Sequence, residues 1–143
     1  MEVVCEVGWK RWADLGRGRV IAHETAWNGN SGGRLRMQRK GMLIGVQSKA
    51  IDEYERIHQD VWPEVLATIH DCNIRNYSIF RLENMLFAYY EYIGDDYQAD
   101  MARMAADPKT REWWSITDPM QVPVAEAKPG EWWAALKEVF HVD

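Results

Sequence analysis

The chain has few cysteines, no long apolar run and no basic stripe, and each shortage excludes something. Two cysteines in 143 residues, Cys5 and Cys72, are too few for a disulfide scaffold and show no C-x-x-C spacing. They read as reduced thiols of a cytoplasmic protein. Nowhere do 18 apolar residues follow one another, so no transmembrane helix is expected. The net charge is −5, and without a dense Lys/Arg patch the chain is a poor candidate for binding nucleic acid. The four histidines include no H-x-x-x-H pair, and His23-Glu24 lacks the second histidine of a zincin, so no metal site is expected. G-x-S-x-G, P-loop and G-x-G-x-x-G motifs are absent too, leaving nucleophile-elbow and nucleotide-binding readings without support.

What is abundant is aromatic: eight tryptophans and six tyrosines. Charge is uneven. Residues 1–40 hold eight basic and four acidic side chains, and six of the ten glycines lie before residue 41. No helical or strand period persists there, so residues 1–36 read as an appendage, from an upstream start codon or from cloning, with Met37 as the natural start. The remainder, 37–143, is long enough for one domain with its own core.

From Met37 the pattern is regular. Met42–Val46 reads as a first strand. Beyond Ala50 the apolar spacing turns helical: Ile51, Tyr54, His58, Trp62, Val65 and Ile69 share an arc of about 80°, with a kink expected at Trp62-Pro63. Ile74–Leu82 and Met85–Ile93 form a hairpin across Glu83-Asn84. Asp95 is the expected cap of a helix to Ala106, and Asp107-Pro108 opens another that carries Trp113-Trp114 and stops before Asp118-Pro119. Residues 119–130 are a loop. The tail is ambiguous: Trp132–Lys137 favours helix and Glu138–Val142 favours strand. The order β-α-β-β-α-β is the ferredoxin-like α+β plan, one antiparallel sheet with helices on one face. Its open face needs a cover, and a second copy is the simplest one, giving a homodimer.

His58 lies between Tyr54 and Trp62 on the helical wheel. An imidazole there is either a satisfied core histidine or a general acid/base lining a pocket. Trp113 and Trp114 sit 100° apart on their helix, so one can pack while the other lines a cleft; Trp132-Trp133 fit a core or interface better. Asp95-Asp96 is better explained by capping than by paired-carboxylate chemistry. Pattern alone reaches a proton-transferring aromatic pocket.

The motifs go further. Tyr54-Glu-Arg-Ile-His58, Val61-Trp-Pro-Glu64, Asn76-Tyr77-Ser-Ile, Leu86-Phe-Ala88, Glu91, Trp113-Trp114, Thr117-Asp118 and a terminal Glu138-Val-Phe occur in an order that resembles the L-rhamnose mutarotase family. The resemblance runs from about Met37 to the C-terminus and leaves residues 1–36 without counterpart. It implies a dimeric α+β barrel and cofactor-free interconversion of the α and β anomers of L-rhamnose. By matching position, His58 corresponds to the proton donor, and Tyr54, Tyr77, Trp113 and Trp114 to the sugar-binding residues. The alternatives are a non-catalytic sugar-binding module and a small monooxygenase on the same dimeric fold.

Overall fold

The computed structural model describes residues 37–143, so the expectations for residues 1–36 lie outside the described residues. The chain runs β1 (Gln38–Val46), a 3-10 turn (Ser48–Ala50), α1 (Ile51–His58), α2 (Pro63–Asp71), β2 (Ile74–Leu82), β3 (Met85–Tyr92), α3 (Tyr97–Ala106) and α4 (Pro108–Thr117). A second 3-10 turn (Asp118–Met120) then leads to two short strands, β4 (Gln121–Val122) and β5 (Ala134–Leu136). The sheet order is β2-β3-β1-β4, with β5 also on β1, and every pairing is antiparallel. This is the expected ferredoxin-like α+β plan with its last strand in two pieces. β4 pairs with Gly45–Val46 and β5 with Gly41–Leu43. Gly45 has a steric role: a Cβ there would lie 2.8 Å from the carbonyl oxygen of Val122, closer than β4 could tolerate.

Alternation gives the sheet two unlike faces. Met42, Ile44 and Val46 of β1 and Leu86, Ala88, Tyr90 and Tyr92 of β3 are buried. They pack under the helices with Tyr54, Cys72, Met101 and Met104. On the opposite face Phe87 stands in register between Leu43 and Phe80; Phe80 and Phe87 are exposed, as are Leu82 and Leu136.

Four details differ from the expectations, the first being that β4 lies within residues 119–130, expected to be a loop, because Gln121 and Val122 pair with the end of β1. β1 begins at Gln38, because residues 38–41 pair with Tyr89–Tyr92 of β3 despite their polar side chains. The cap of α3 is Asp96, whose Oδ1 accepts the Ala99 amide at 3.0 Å, and not its neighbour Asp95. The terminal strand is Ala134–Leu136, neither the helix nor the Glu138–Val142 strand expected. Beyond it Val139, Phe140 and Val142 are exposed, with no neighbouring strand among the described residues to bury them.

Other local expectations hold. The helix breaks after His58 and restarts with Pro63 at its first position, where a missing N–H costs nothing. Asp107 caps α4 by accepting the Thr110 amide at 2.7 Å. The hairpin turns at Glu83-Asn84, where Glu83 has φ 49°. Asn84 explains its own presence: its Nδ2 donates to the Val46 carbonyl (2.9 Å) and to Ser48 Oγ (2.8 Å), tying the turn to the end of β1.

Candidate active site

A cavity of about 380 Å³ opens between the inner face of the sheet, α1, α2, α4 and the segment before β5. It lies at the small end of the roughly 300–1,000 Å³ typical of small-molecule sites. All five residues singled out in the sequence, Tyr54, His58, Tyr77, Trp113 and Trp114, line it. Among the described residues its wall includes no lysine or arginine, and its floor is apolar, with Met42, Ile69, Met101 and Met104.

Tyr54 and His58 are one helical turn apart, so α1 presents them side by side. Their rings stack with centroids 4.1 Å apart, and Trp113 meets the imidazole edge-on at 5.3 Å. Trp113, itself buried, is held in turn by Trp62 at 5.3 Å, a contact supplied by the break before Pro63. His58 Nδ1 lies 2.7 Å from the Tyr54 carbonyl oxygen. A carbonyl can only accept, so Nδ1 carries the hydrogen and Nε2 of the neutral ring is left with its lone pair. Burial lowers the His58 pKa below its ordinary 6.5, against a smaller opposing effect of the bond to the carbonyl.

Tyr77 reaches the cavity through an irregularity. Between Arg75↔Glu91 and Ser78↔Tyr89, β2 carries one residue more than β3, and Asn76 takes φ 49°. Such a bulge reverses the side-chain phase. Simple alternation from the buried Ile74 would turn Asn76 inward; the extra residue turns Tyr77 inward instead, where its ring meets Tyr90 at 5.5 Å. Asn tolerates the left-handed backbone, and its Nδ2 donates to Glu91 Oε2 at 2.6 Å.

Besides Gln121, three participants were not singled out as site residues in the sequence. Trp132 and Trp133, expected in a core or interface, line the cavity. Trp132 Nε1 donates to Gln121 Oε1 at 2.7 Å, and Gln121 Nε2 donates to the Tyr54 hydroxyl oxygen at 3.4 Å. An indole N–H only donates, which fixes the amide orientation and leaves the Tyr54 hydrogen free to point into the cavity. The third is Asp118, at the C-terminal end of α4. Its carboxyl is half-buried in the cavity wall and has no hydrogen-bond or salt-bridge partner among the described residues. Desolvation pushes its pKa up to about 6. The only sequence signal for Asp118 was the Thr117-Asp118 motif, which also reads as a helix end; Gln121 gave none.

The phenols are held neutral. Burial raises Tyr54 to about 12, and it raises Tyr77 and Tyr90 further. Among the described residues, no three His, Cys, Asp or Glu side chains are grouped so as to hold a metal ion. No described helix is long and apolar enough to cross a membrane.

Comparison with known proteins converges on one family. The L-rhamnose mutarotase family pattern matches residues 39–142. An L-rhamnose mutarotase of Oceanobacillus iheyensis is 34% identical over 109 residues, covering 75% of this chain and all of that protein. An L-fucose mutarotase of Xanthomonas campestris pv. campestris is 32% identical, with 74% of this chain and 89% of that protein covered. The crystal structure of an L-rhamnose mutarotase from Formosa agariphila superposes with a TM-score of 0.57 at 22% identity, over 74% of this chain and 99% of that one; at that identity the likeness supports the fold. With 104 consecutive residues inside the family pattern and the aromatic pocket built by that segment, the chain belongs to the L-rhamnose mutarotase family.

Proposed function

We propose that residues 37–143 form a cofactor-free isomerase domain that interconverts the α and β anomers of L-rhamnopyranose, with His58 as its proton-transferring group. The observation that carries this reading is the state of His58: Nδ1 anchored to a carbonyl, Nε2 unengaged among the described residues, the ring clamped between a phenol and an indole at the cavity wall. Mutarotation moves one proton off the C1 hydroxyl and one onto the ring oxygen, then reverses both after the aldehyde rotates. No redox change occurs and no carbon–carbon bond breaks. An acceleration of about 10⁵-fold requires about 7 kcal/mol. General acid–base transfer supplies about 3–5 kcal/mol of that, and orientation of the bound sugar covers the rest.

In this reading His58 gives a proton to the ring oxygen on opening and recovers it on closure. Tyr54 and Tyr77, neutral at working pH, donate to sugar hydroxyls. Trp113 and Trp114 offer flat apolar surfaces to the pyranose C–H face. The methionine-rich floor suits the C6 methyl group better than a hydroxymethyl.

A homodimer belongs to the same proposal. Phe80, Phe87, Leu82 and Leu136 form an apolar face on the uncovered side of the sheet, and a second copy offers the same surface in return. A cytoplasmic location is supported by the buried, free thiol of Cys72.

The test is anomer exchange of L-rhamnose followed by saturation-transfer NMR. Wild-type protein is expected to accelerate exchange, and folded His58→Ala to fall near the protein-free rate. Equal exchange by wild type and His58→Ala would reject the assignment of His58. Rhamnose binding by wild type without acceleration would identify a sugar-binding module instead.

A further inference from the structure

Ring opening needs two proton transfers at two oxygens, and His58 offers one exchangeable position, since its Nδ1 is tied to the Tyr54 carbonyl. We propose that Asp118 is the second proton-transferring group, its carboxylate taking the C1 hydroxyl proton while His58 serves the ring oxygen. This rests on the mutarotase reading above.

The placement is the argument. Asp118 closes α4 one turn beyond Trp114, so the helix that supplies the two indoles also sets the carboxyl at the cavity wall. Its charge adds to the burial that raises the Tyr54 phenol's pKa, and Tyr54 is the residue that stacks on His58. Among the described residues burial alone shifts this carboxyl, with no cation or hydrogen-bond donor contributing, so it can meet a ligand hydroxyl. The other titratable groups in the wall, among the described residues, are Tyr54 and His58 from α1, Tyr77 from β2 and Tyr90 from β3. The three phenols are pushed away from neutrality by burial, whereas Asp118, at about 6, stands near it. General acid–base groups work best there.

The step balances. In the reactive form the one proton of the pair sits on His58 Nε2 and Asp118 is ionised; on opening, that Nε2–H bond breaks and its proton goes to the ring oxygen. The bond from C1 to that oxygen breaks, with its electron pair leaving on the oxygen. The C1 hydroxyl proton passes to Asp118 and the C1=O double bond forms. Closure returns each proton to its origin on either face of the aldehyde. One proton shared by the His58/Asp118 pair drives both directions, and no co-reactant is consumed.

The experiment compares wild type, Asp118→Asn and Asp118→Glu by saturation-transfer exchange of L-rhamnose from pH 5 to 8. Sugar affinity by titration calorimetry and thermal melting accompany it. Asp118→Asn is expected to bind L-rhamnose within about threefold of wild type while exchange slows by about 10²-fold, and Asp118→Glu to recover part of the rate. Wild type should show a bell-shaped rate profile whose acid limb disappears in Asp118→Asn. Asp118→Asn exchanging within twofold of wild type would overturn the assignment, as would a loss of affinity matching the loss of rate. If Asp118→Asn does not fold, a wild-type rate without an acid limb is decisive against it. Wild type without any acceleration overturns the mutarotase reading itself, an outcome separate from these.

Discussion

His58 donates from Nδ1 to the carbonyl oxygen of Tyr54 at 2.7 Å while its ring lies stacked on the ring of that same tyrosine at 4.1 Å. Two contacts with one residue, one helical turn back, fix both the tautomer and the plane of the imidazole. The orientation of the imidazole is therefore encoded within α1, and the rest of the cavity wall closes around it.

The tautomer and its titration are open to measurement. Long-range proton–nitrogen correlation NMR should find His58 with Nδ1 protonated, neutral at pH 7, and titrating below 6.5. The folded pKa is depressed relative to the unfolded one, so the unfolded chain binds the proton more readily. The stability contributed by the neutral ring is then present above about pH 6.5 and is lost as the pH falls through the folded value. A His58 that titrates above 6.5 contradicts the burial described for it.

Asp118 carries the opposite sign. Its folded pKa, about 6, lies above its ordinary 3.8. The contribution is fully present below pH 3.8 and is lost as the pH rises from there through about 6. Asn at this position stays neutral throughout, so Asp118→Asn should be as stable as wild type at pH 4. At pH 7.5 it should be more stable by about 1–2 kcal/mol, after discounting for the carboxyl's partial exposure. Melting curves at the two pH values decide this. A more stable but slower variant is the pattern of a residue kept for chemistry.

The Trp132–Gln121–Tyr54 chain predicts a binding phenotype. Gln121→Glu replaces a donor with a second acceptor, which draws the Tyr54 hydrogen away from the cavity. The loss of one hydrogen bond to the sugar, about 1–1.5 kcal/mol, corresponds to a KM raised about 5–10-fold. Exchange kinetics over a range of L-rhamnose concentrations would show it, and an unchanged KM would count against the relay.

The open sheet face predicts an assembly. Wild-type protein should elute at twice its 16.7 kDa mass in light scattering after size-exclusion chromatography. Phe87→Glu, which places a charge at the centre of the Leu43–Phe87–Phe80 row, should yield monomer. A monomeric wild type rejects the dimer.

Sugar preference follows from the floor of Met42, Met101 and Met104. L-Mannose, which has a hydroxyl where L-rhamnose has only a methyl hydrogen, would bury that group against thioethers and methylenes at a cost of about 1–3 kcal/mol. Its exchange should be about 10–100-fold slower at equal concentration, read by the same NMR assay.

The sequence announced much of this because much of it is local. Tyr54 and His58 sit four residues apart on a helix, Pro63 marks its break and Asp107-Pro108 its successor; short-range periodicity suffices for each. What escaped depends on partners distant in the chain. Tyr77 was legible through its motif alone: alternation puts it on the wrong face, because a bulge is defined by the neighbouring strand. Gln121 looks like a loop residue until Trp132 and Tyr54 converge on it. Asp118 looks like a helix end until the cavity strips it of water. The last strand is three residues long and depends on pairing with β1, so neither helix nor strand propensity could locate it.

The divided edge of the sheet separates two fixed pairings from the segment that spans them. β4 and β5 are moored to β1 at different points, and residues 123–133 leave the sheet between them before returning with Trp132 and Trp133 over the cavity. Lengthening or shortening that excursion shifts neither mooring. The roof of the cavity is thus carried by an excursion from the sheet, while its floor and walls are set by the sheet and helices themselves.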